Sequence, residues 1–114
     1  MGRPAYDREY TTDYTFPLSD EDRLRVRIDT EHTPDVLDFV VQYEAQINGT
    51  YYPVVCYDSW HGEAHRDLLG PNGHVIDKRW LGRTSDYGDI VDEAVQELQD
   101  HWEQYRQDFI GRMS

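Results

Sequence analysis

The sequence predicts an α+β domain, in which an antiparallel sheet of four to five strands packs on one long C-terminal α-helix. Apolar and polar residues alternate over residues 24–28 and again over residues 39–47, which is the pattern of strands with one buried face. An Asn48-Gly49 pair follows the second segment and predicts a tight hairpin turn. Over residues 90–109, apolar residues recur every three or four positions, as on one face of a helix. The length of 114 residues suits one such domain.

The N-terminal residues differ in composition from the rest of the chain. Residues 1–22 carry several acids, two prolines and four aromatic residues, three of them tyrosines. Pro17 and the Thr11-Thr12 pair disfavour a helix, although the tyrosines are spaced by four residues. We therefore expect residues 1–22 to form a partly ordered, acidic, Tyr-rich arm, and residues 23–114 to form the single α+β domain.

Three further segments complete the predicted sheet. Residues 51–58 return from the hairpin turn as a strand, in which Pro53 predicts an edge position or an irregularity. Residues 64–69 are predicted to form a short strand. A Gly-Pro-Asn-Gly turn then leads to the last candidate strand, over residues 74–81.

The C-terminal part of the chain predicts one long helix. Ser85 or Asp86 can cap its N-terminus, and Gly111 marks its end. The apolar stripe that would face the sheet consists of Ile90, Val91, Ala94, Val95, Leu98, Trp102, Tyr105 and Phe109. Trp102 lies in the middle of this stripe, so we expect it to be buried against the sheet.

The charge composition points to a salt-rich habitat. The chain has 23 acidic and 11 basic residues, a net charge of −12, with 15 Asp, 8 Glu, ten Arg and one Lys. Excess Asp with scarce Lys is typical of proteins from halophiles, because in molar salt the Debye length falls to about 3 Å and repulsion between acids is screened. The other interpretation is an acidic mimic of nucleic acid, or a module that docks on a basic partner. Since habitat alone can impose the charge, it argues only weakly against RNA binding.

Cysteine content and hydropathy predict the compartment. The single cysteine, Cys56, excludes an intramolecular disulfide and favours a reducing environment. No apolar run approaches the roughly 18 residues of a membrane span, and no signal peptide is evident. We therefore expect a cytoplasmic protein that does not associate with membranes.

Side chains able to take part in catalysis or metal binding concentrate from the end of the third predicted strand to the beginning of the fourth. The segment contains Tyr57, Asp58, His61, Glu63, His65, Arg66 and Asp67. If the two strands pair across a loop of residues 59–62, Cys56 lies opposite His65. Alternate residues of a strand point to the same side, so Asp58, His65 and Asp67 would share one face. His61, in the loop, would lean over that face.

This cluster suits general acid–base catalysis. A His beside a carboxylate can donate or accept a proton near neutral pH, so His61 and His65 are the predicted catalytic histidines. Asp58 and Asp67 would orient them and complete the predicted catalytic set.

The neighbouring side chains suit an RNA substrate. Arg66 could hold a phosphate, and Tyr57 is the second predicted substrate-binding residue. Such a site would cleave an RNA phosphodiester without a metal, so no cofactor is expected.

Two other interpretations of the cluster stay open. His61, His65 and Asp67 supply two nitrogens and one carboxylate, enough to hold a metal with open coordination positions. Alternatively, the same side chains only brace the hairpin through hydrogen bonds to backbone groups.

Arginines line the polar side of the first predicted strand. Arg23, Arg25 and Arg27 alternate with its apolar residues. They could meet a phosphate backbone, but the surrounding acids make ion pairs the expected outcome.

The sequence motif also resembles a known protein family. A Tyr-Asp-x-x-His-Gly-x-x-His core begins at Tyr57, between a strand hairpin and a long helix. Over residues 38–110 the chain resembles a family of small archaeal and bacterial proteins, and more distantly it is similar to TumE-type toxins. This resemblance implies a toxin-like protein that is partnered by a helix-turn-helix antitoxin protein. The Ser59-Trp60 pair departs from the toxin pattern, in which a basic residue or Asn often follows Tyr-Asp.

The expected function therefore has two forms. The first is a cytoplasmic, toxin-like protein that acts on RNA through the His/Asp cluster, as a metal-independent ribonuclease. The second is a non-catalytic protein-interaction module, in which the cluster is structural.

Overall fold

The computed structural model describes residues 11–30, 38–59, 63–81 and 87–113. In these ranges the chain forms β1 (Thr12–Ser19), β2 (Asp22–Asp29), β3 (Asp38–Ile47), β4 (Thr50–Asp58), β5 (His65–Leu69), β6 (Val75–Trp80) and α1 (Tyr87–Gly111). The six strands form one antiparallel sheet in sequence order, from β1 at one edge to β6 at the other. The predicted α+β class is confirmed, with one strand more than the upper end of the prediction. None of the described helical residues form a segment with the length and apolar character that a membrane span requires.

The additional strand is β1, which occupies part of the predicted N-terminal arm. It pairs antiparallel with β2 through a turn at residues 20–21. The sheet therefore starts before residue 23, which corrects the predicted domain boundary. Nearly every side chain of β1 is exposed, although Tyr14, Phe16 and Leu18 alternate with other residues as in a strand with one apolar face. Pro17 is tolerated because β1 lies at the edge of the sheet. Residues 1–10 of the arm lie outside the described residues.

The hairpin predicted from Asn48-Gly49 joins β3 to β4. The backbone φ is 53° at Asn48 and 82° at Gly49, the left-handed values that a type I′ turn requires. The predicted irregularity at Pro53 is also present, because the pairing of β3 with β4 shifts between Tyr43 and Glu44, opposite the proline. β4 nevertheless lies in the interior of the sheet.

The helix α1 packs across β3 and β4 on one face of the sheet. Its buried residues all belong to the predicted stripe: Ile90, Val91, Ala94, Leu98 and Phe109. They meet a core whose largest buried side chains include Tyr43 and Phe39. Trp102 is only partly buried, which corrects the expectation of full burial, and its ring lies edge-on to that of Tyr43 at 6.4 Å. The helix ends at Gly111 as predicted, whereas the capping residues 85–86 lie outside the described residues.

A buried polar network fixes the C-terminal half of α1 to the sheet. The carboxylate of Asp22 accepts hydrogen bonds from the hydroxyl of Tyr43 and, at 2.9 Å, from Nη1 of Arg106. The hydroxyl of Ser19 donates to the second oxygen of Asp22 at 2.6 Å. Arg106 also donates to the carbonyl oxygen of Gln46 at 3.1 Å. The network therefore joins α1 to the beginning of β2 and to β3.

The face of the sheet opposite α1 carries polar side chains, and we call it the polar face. Two cross-strand rows define it: Asp13, Arg27, Val40, Asp58, His65 and Trp80 in one, and Thr15, Arg25, Gln42, Cys56, Asp67 and Lys78 in the other. The rows are adjacent, so residues two positions apart on one strand lie side by side. Asp58, His65 and Asp67 therefore meet on the polar face.

Candidate functional site

The candidate site lies where β4 and β5 pair at one end of the polar face. Asp58 is opposite His65, and Cys56 is opposite Asp67. Cys56 was predicted to lie opposite His65, so the predicted register is wrong by two residues. Because side chains alternate with a period of two, a shift of two residues leaves every side chain on its predicted face. The structure thus brings Asp58, His65 and Asp67 together, as expected.

The register differs because the connection between the strands is longer than residues 59–62. Ser59 leaves the pairing with β5 and turns toward β3, where its hydroxyl accepts a hydrogen bond from the backbone N–H of Phe39 at 3.0 Å. The same hydroxyl donates to the carboxylate of Asp38 at 3.1 Å. Strand pairing therefore resumes only at His65.

His65 is the centre of the cluster and is only 3% exposed. Its Nε2 lies 3.1 Å from Oδ1 of Asp58 and 3.5 Å from Oδ2 of Asp67. Its Nδ1 lies 3.2 Å from the carbonyl oxygen of Glu63. Both ring nitrogens therefore face oxygen atoms, and the ring is fixed in position.

A second layer of contacts orients the two carboxylates. The thiol of Cys56 donates to Oδ2 of Asp58 at 3.6 Å, and Nζ of Lys78 lies 3.3 Å from Oδ1 of Asp67. Burial, followed by the charge of Asp58, raises the pKa of the Cys56 thiol well above its usual value. Cys56 is therefore a neutral donor to the cluster and not a nucleophilic thiolate.

An exposed aromatic ring lies beside the cluster. Trp80 is 56% exposed, and its ring centroid is 5.2 Å from that of His65. Nζ of Lys78 lies 5.3 Å from the centroid of the same indole. Neither Trp80 nor Lys78 was predicted as a site residue. The signal that could have found them is the alternation along β6, which places both on the face of His65 and Asp67.

Arg66 and Tyr57 do not face the cluster. They lie opposite each other on β4 and β5, one residue from His65 and Asp58, so they point to the face that α1 covers. Nη2 of Arg66 lies 3.1 Å from Oδ2 of Asp77. The expectation that Arg66 and Tyr57 bind a substrate of the His/Asp cluster is therefore corrected.

Both residues instead line a cleft of about 640 Å³ between the sheet and α1. Arg79 of β6 adds a second cation on the sheet side, and α1 contributes three acids. These acids are Asp89, Glu93 and Glu97. The cleft is thus of mixed charge and lies on the opposite side of the sheet from His65.

The arginines of β2 pair with acids, as expected. Nε of Arg23 lies 2.7 Å from Oε1 of Glu44. Oδ2 of Asp13 lies 3.4 Å from Nη2 of Arg25 and 3.7 Å from Nε of Arg27. Their charge is largely compensated within the polar face.

His61 lies outside the described residues, so the predicted pair of catalytic histidines is represented here by His65 alone. In the described part of the chain, the His/Cys/Asp/Glu group compact enough to hold a metal ion is Asp58, His65 and Asp67. One potential ligand atom from each lies within 4.8 Å of the other two.

Comparison with known proteins places the chain in a family without assigning an activity. No curated protein and no solved structure matches it. A family model described as a domain of unknown function, DUF7718, matches residues 7–113, which include every strand of the sheet and the helix that packs on it. The chain therefore belongs to the DUF7718 family.

Proposed function

We propose that this protein is a toxin-like cytoplasmic protein that acts on RNA at the Asp58–His65–Asp67 cluster. The observation that carries the proposal is the buried His65 ring, held between two carboxylates beside the exposed ring of Trp80. Fixed ionisable groups next to an exposed aromatic surface suit a reaction on a single-stranded nucleic acid. The resemblance to TumE-type toxins supports the same class of protein, with a helix-turn-helix antitoxin as partner.

The two carboxylates are the part of the cluster that a phosphodiester can reach. The side chains of Asp58 and Asp67 are 13% and 14% exposed, against 4% for His65. His65 therefore acts as a positioning residue: it is more deeply buried than the two carboxylates and holds them in place. This assignment differs from the sequence-based one, in which histidine transferred the proton and the acids oriented it.

Trp80 and Lys78 are the proposed RNA contacts. Stacking of a base on an exposed aromatic ring contributes about 1–3 kcal/mol and tolerates any sequence. Lys78, the only lysine, places a positive charge between that ring and Asp67. The net charge of −12 opposes long-range attraction of RNA, but in the molar salt of a halophile's cytoplasm this repulsion is screened.

The experiment is cleavage of a labelled single-stranded RNA by the purified protein in molar KCl. We expect cleavage by the wild type, loss of cleavage in His65→Gln, and about ten-fold weaker RNA binding in Trp80→Ala. Tyr14→Ala is the matched control, since Tyr14 is 46% exposed but lies on β1, at the far edge of the sheet. Absence of both cleavage and binding in the wild type would contradict the proposal.

A second candidate function is a protein-interaction module, and the exposure of β6 favours it. Val75, Ile76 and Trp80 are 46%, 47% and 56% exposed, and β6 forms an edge of the sheet. An edge strand with apolar side chains can pair with a strand of a partner protein. In this case the cluster only braces β4 against β5, and expression of the protein alone would leave growth unaffected.

A further inference from the structure

We propose that Asp58, His65 and Asp67 bind one divalent transition-metal ion. The site differs from the metal site considered from sequence, because Asp58 takes the place of His61. It would be occupied whether or not the protein cleaves RNA, so this proposal and the proposed function fail separately.

The spacing of the three ligand atoms fits a common ion. Nε2 of His65 lies 3.1 Å from Oδ1 of Asp58 and 3.5 Å from Oδ2 of Asp67. Ligand atoms that sit about 2.0–2.2 Å from one ion are separated from each other by about 3.0–3.6 Å, depending on the coordination geometry. Two of the three separations therefore already match those of a coordination shell, and the third, between the two carboxylate oxygens, is at most 4.8 Å.

The hydrogen bond of the other ring nitrogen fixes the tautomer that a metal needs. The carbonyl oxygen of Glu63, 3.2 Å from Nδ1 of His65, can only accept a hydrogen bond, so Nδ1 carries the proton. In a neutral ring, Nε2 then presents its lone pair to two carboxylate oxygens. A proton on Nε2 or a metal ion can occupy the point where these three atoms converge, and a divalent ion placed there would be coordinated by all three. A backbone carbonyl behind a ligating histidine is the usual support of such a site.

The outer contacts also leave one oxygen of each carboxylate facing His65. Cys56 engages the second oxygen of Asp58, which turns Oδ1 toward His65. Oδ1 of Asp67 is buried and accepts no hydrogen bond from any described residue, although Nζ of Lys78 lies 3.3 Å away as an ion-pair partner. This oxygen lies on the Lys78 side of the carboxylate, whereas Oδ2 is the Asp67 oxygen that faces His65 and would contact the ion.

The donor set selects the kind of ion. Two carboxylates and a neutral imidazole carry a charge of about −2, of which the ion pair with Lys78 compensates about one unit, so the site keeps a negative charge that favours a cation. Carboxylate oxygens suit Mn²⁺ and imidazole suits Zn²⁺, so these two ions are the appropriate probes. Three protein ligands leave coordination positions for water or a phosphate oxygen.

The first test is thermal unfolding of protein stripped with EDTA, in molar KCl to screen diffuse binding to the other acids. We expect Mn²⁺ or Zn²⁺ to raise the melting temperature of the wild type by several degrees, saturating at one ion per chain. Asp58→Asn and Asp67→Asn should lose that rise. Glu44→Gln is the matched control, because Glu44 is a buried carboxylate paired with Arg23 outside the cluster, and it should keep the rise. No rise in the wild type, or the same rise in Asp58→Asn, would overturn the proposal.

The second test needs no variant at the cluster. Paramagnetic Mn²⁺ should broaden the indole N–H resonance of Trp80, 5.2 Å from His65 between ring centroids, at lower concentration than that of Trp102 on the opposite side of the sheet. Assignment of the Trp80 resonance by Trp80→Phe makes the comparison direct. Equal broadening of the two resonances would contradict the site.

Discussion

At the scale of single residues, the buried position of His65 determines how much its substitution lowers the stability of the fold. The ring is buried, and both of its nitrogens face oxygen partners on β4, β5 and the segment between them. Removal of the ring leaves the carboxylates of Asp58 and Asp67 close together and without their common partner. His65 therefore contributes to stability whatever further role the cluster has.

We predict that His65→Ala lowers the free energy of unfolding by about 1–3 kcal/mol, the usual cost of leaving buried polar partners unsatisfied. Urea denaturation in molar KCl measures it. His101→Ala is the control, because the His101 side chain is 59% exposed on α1, and it should change stability very little. Equal effects of the two substitutions would show that His65 braces nothing.

Tyr105 carries a pH-dependent contribution to stability. Burial, followed by the neighbouring Tyr57 and Glu97, raises the pKa of Tyr105 to about 12, and its hydroxyl donates to Glu97 at 3.1 Å. An unfolded tyrosine ionises near pH 10. Because the folded pKa is the higher one, the stabilisation is fully present below pH of about 10 and is lost as the pH rises toward about 12.

We therefore predict that stability falls more steeply with alkaline pH in the wild type than in Tyr105→Phe, which has no hydroxyl to ionise. Urea denaturation at a series of alkaline pH values measures both slopes. Identical slopes would rule out the assigned role of Tyr105.

The alternation of side chains between the two faces of a strand explains which site residues the sequence could predict. Asp58, His65 and Asp67 share a face because they are separated by even steps, and a register error of two residues did not change that. Arg66 was misplaced because proximity in sequence was taken as proximity in space, although its neighbours in a strand point the other way. Trp80 was missed because its contact with His65 depends on the pairing of β5 with β6, which no single motif encodes.

At the scale of elements, the Arg106 network determines how α1 sits on the sheet. Arg106 contacts Asp22 at the beginning of β2 and Gln46 near the end of β3, and Asp22 is buried. The apolar stripe of α1 supplies burial, whereas these hydrogen bonds define the position of its C-terminal half.

We predict that Arg106→Ala costs about 1–3 kcal/mol, because it leaves a buried carboxylate with fewer partners. Arg112→Ala, past the end of α1, is the control of equal charge and should be nearly neutral. Chemical denaturation of both variants checks this, and a loss below about 0.5 kcal/mol in Arg106→Ala would contradict the structural role.

The secondary-structure elements differ in how well the sequence predicts them. The helix and the β3–β4 hairpin were predicted because each has a buried face or a turn dipeptide that only a few conformations satisfy. β1 was not predicted, because Pro17 and the neighbouring acids resemble a loop, although Tyr14, Phe16 and Leu18 alternate as in a strand. Trp102 was expected to be buried from its place in the stripe, but α1 lies over β3 and β4, and the indole is only partly covered.

At the scale of the whole molecule, the sheet is a simple meander. Each strand pairs with its neighbours in sequence, so no long crossover has to be inferred. Local signals were therefore sufficient for the fold class. The fold does not indicate the activity, because the polar face and the charged cleft beneath α1 both depend on side-chain pairings across several strands.

The net charge of −12 belongs to the molecule as a whole. We predict that the melting temperature rises steeply between low and molar KCl, since repulsion among 23 acids is screened as the Debye length shortens to about 3 Å. Melts followed by circular dichroism check this. KCl is preferable to a sulfate salt, because sulfate also strengthens apolar burial. A flat midpoint across the range would remove the case for halophilic adaptation.

The most direct measurement of whether the cluster acts on RNA is the cleavage rate of Asp67→Asn, taken at a KCl concentration where its own unfolding curve shows it fully folded. The substitution keeps the shape of the side chain and removes its charge. If the cluster acts on RNA, the folded variant should cleave single-stranded RNA about 10²–10⁴-fold more slowly than the wild type. A folded Asp67→Asn that cleaves at the wild-type rate would contradict the assignment of the reaction to Asp58, His65 and Asp67.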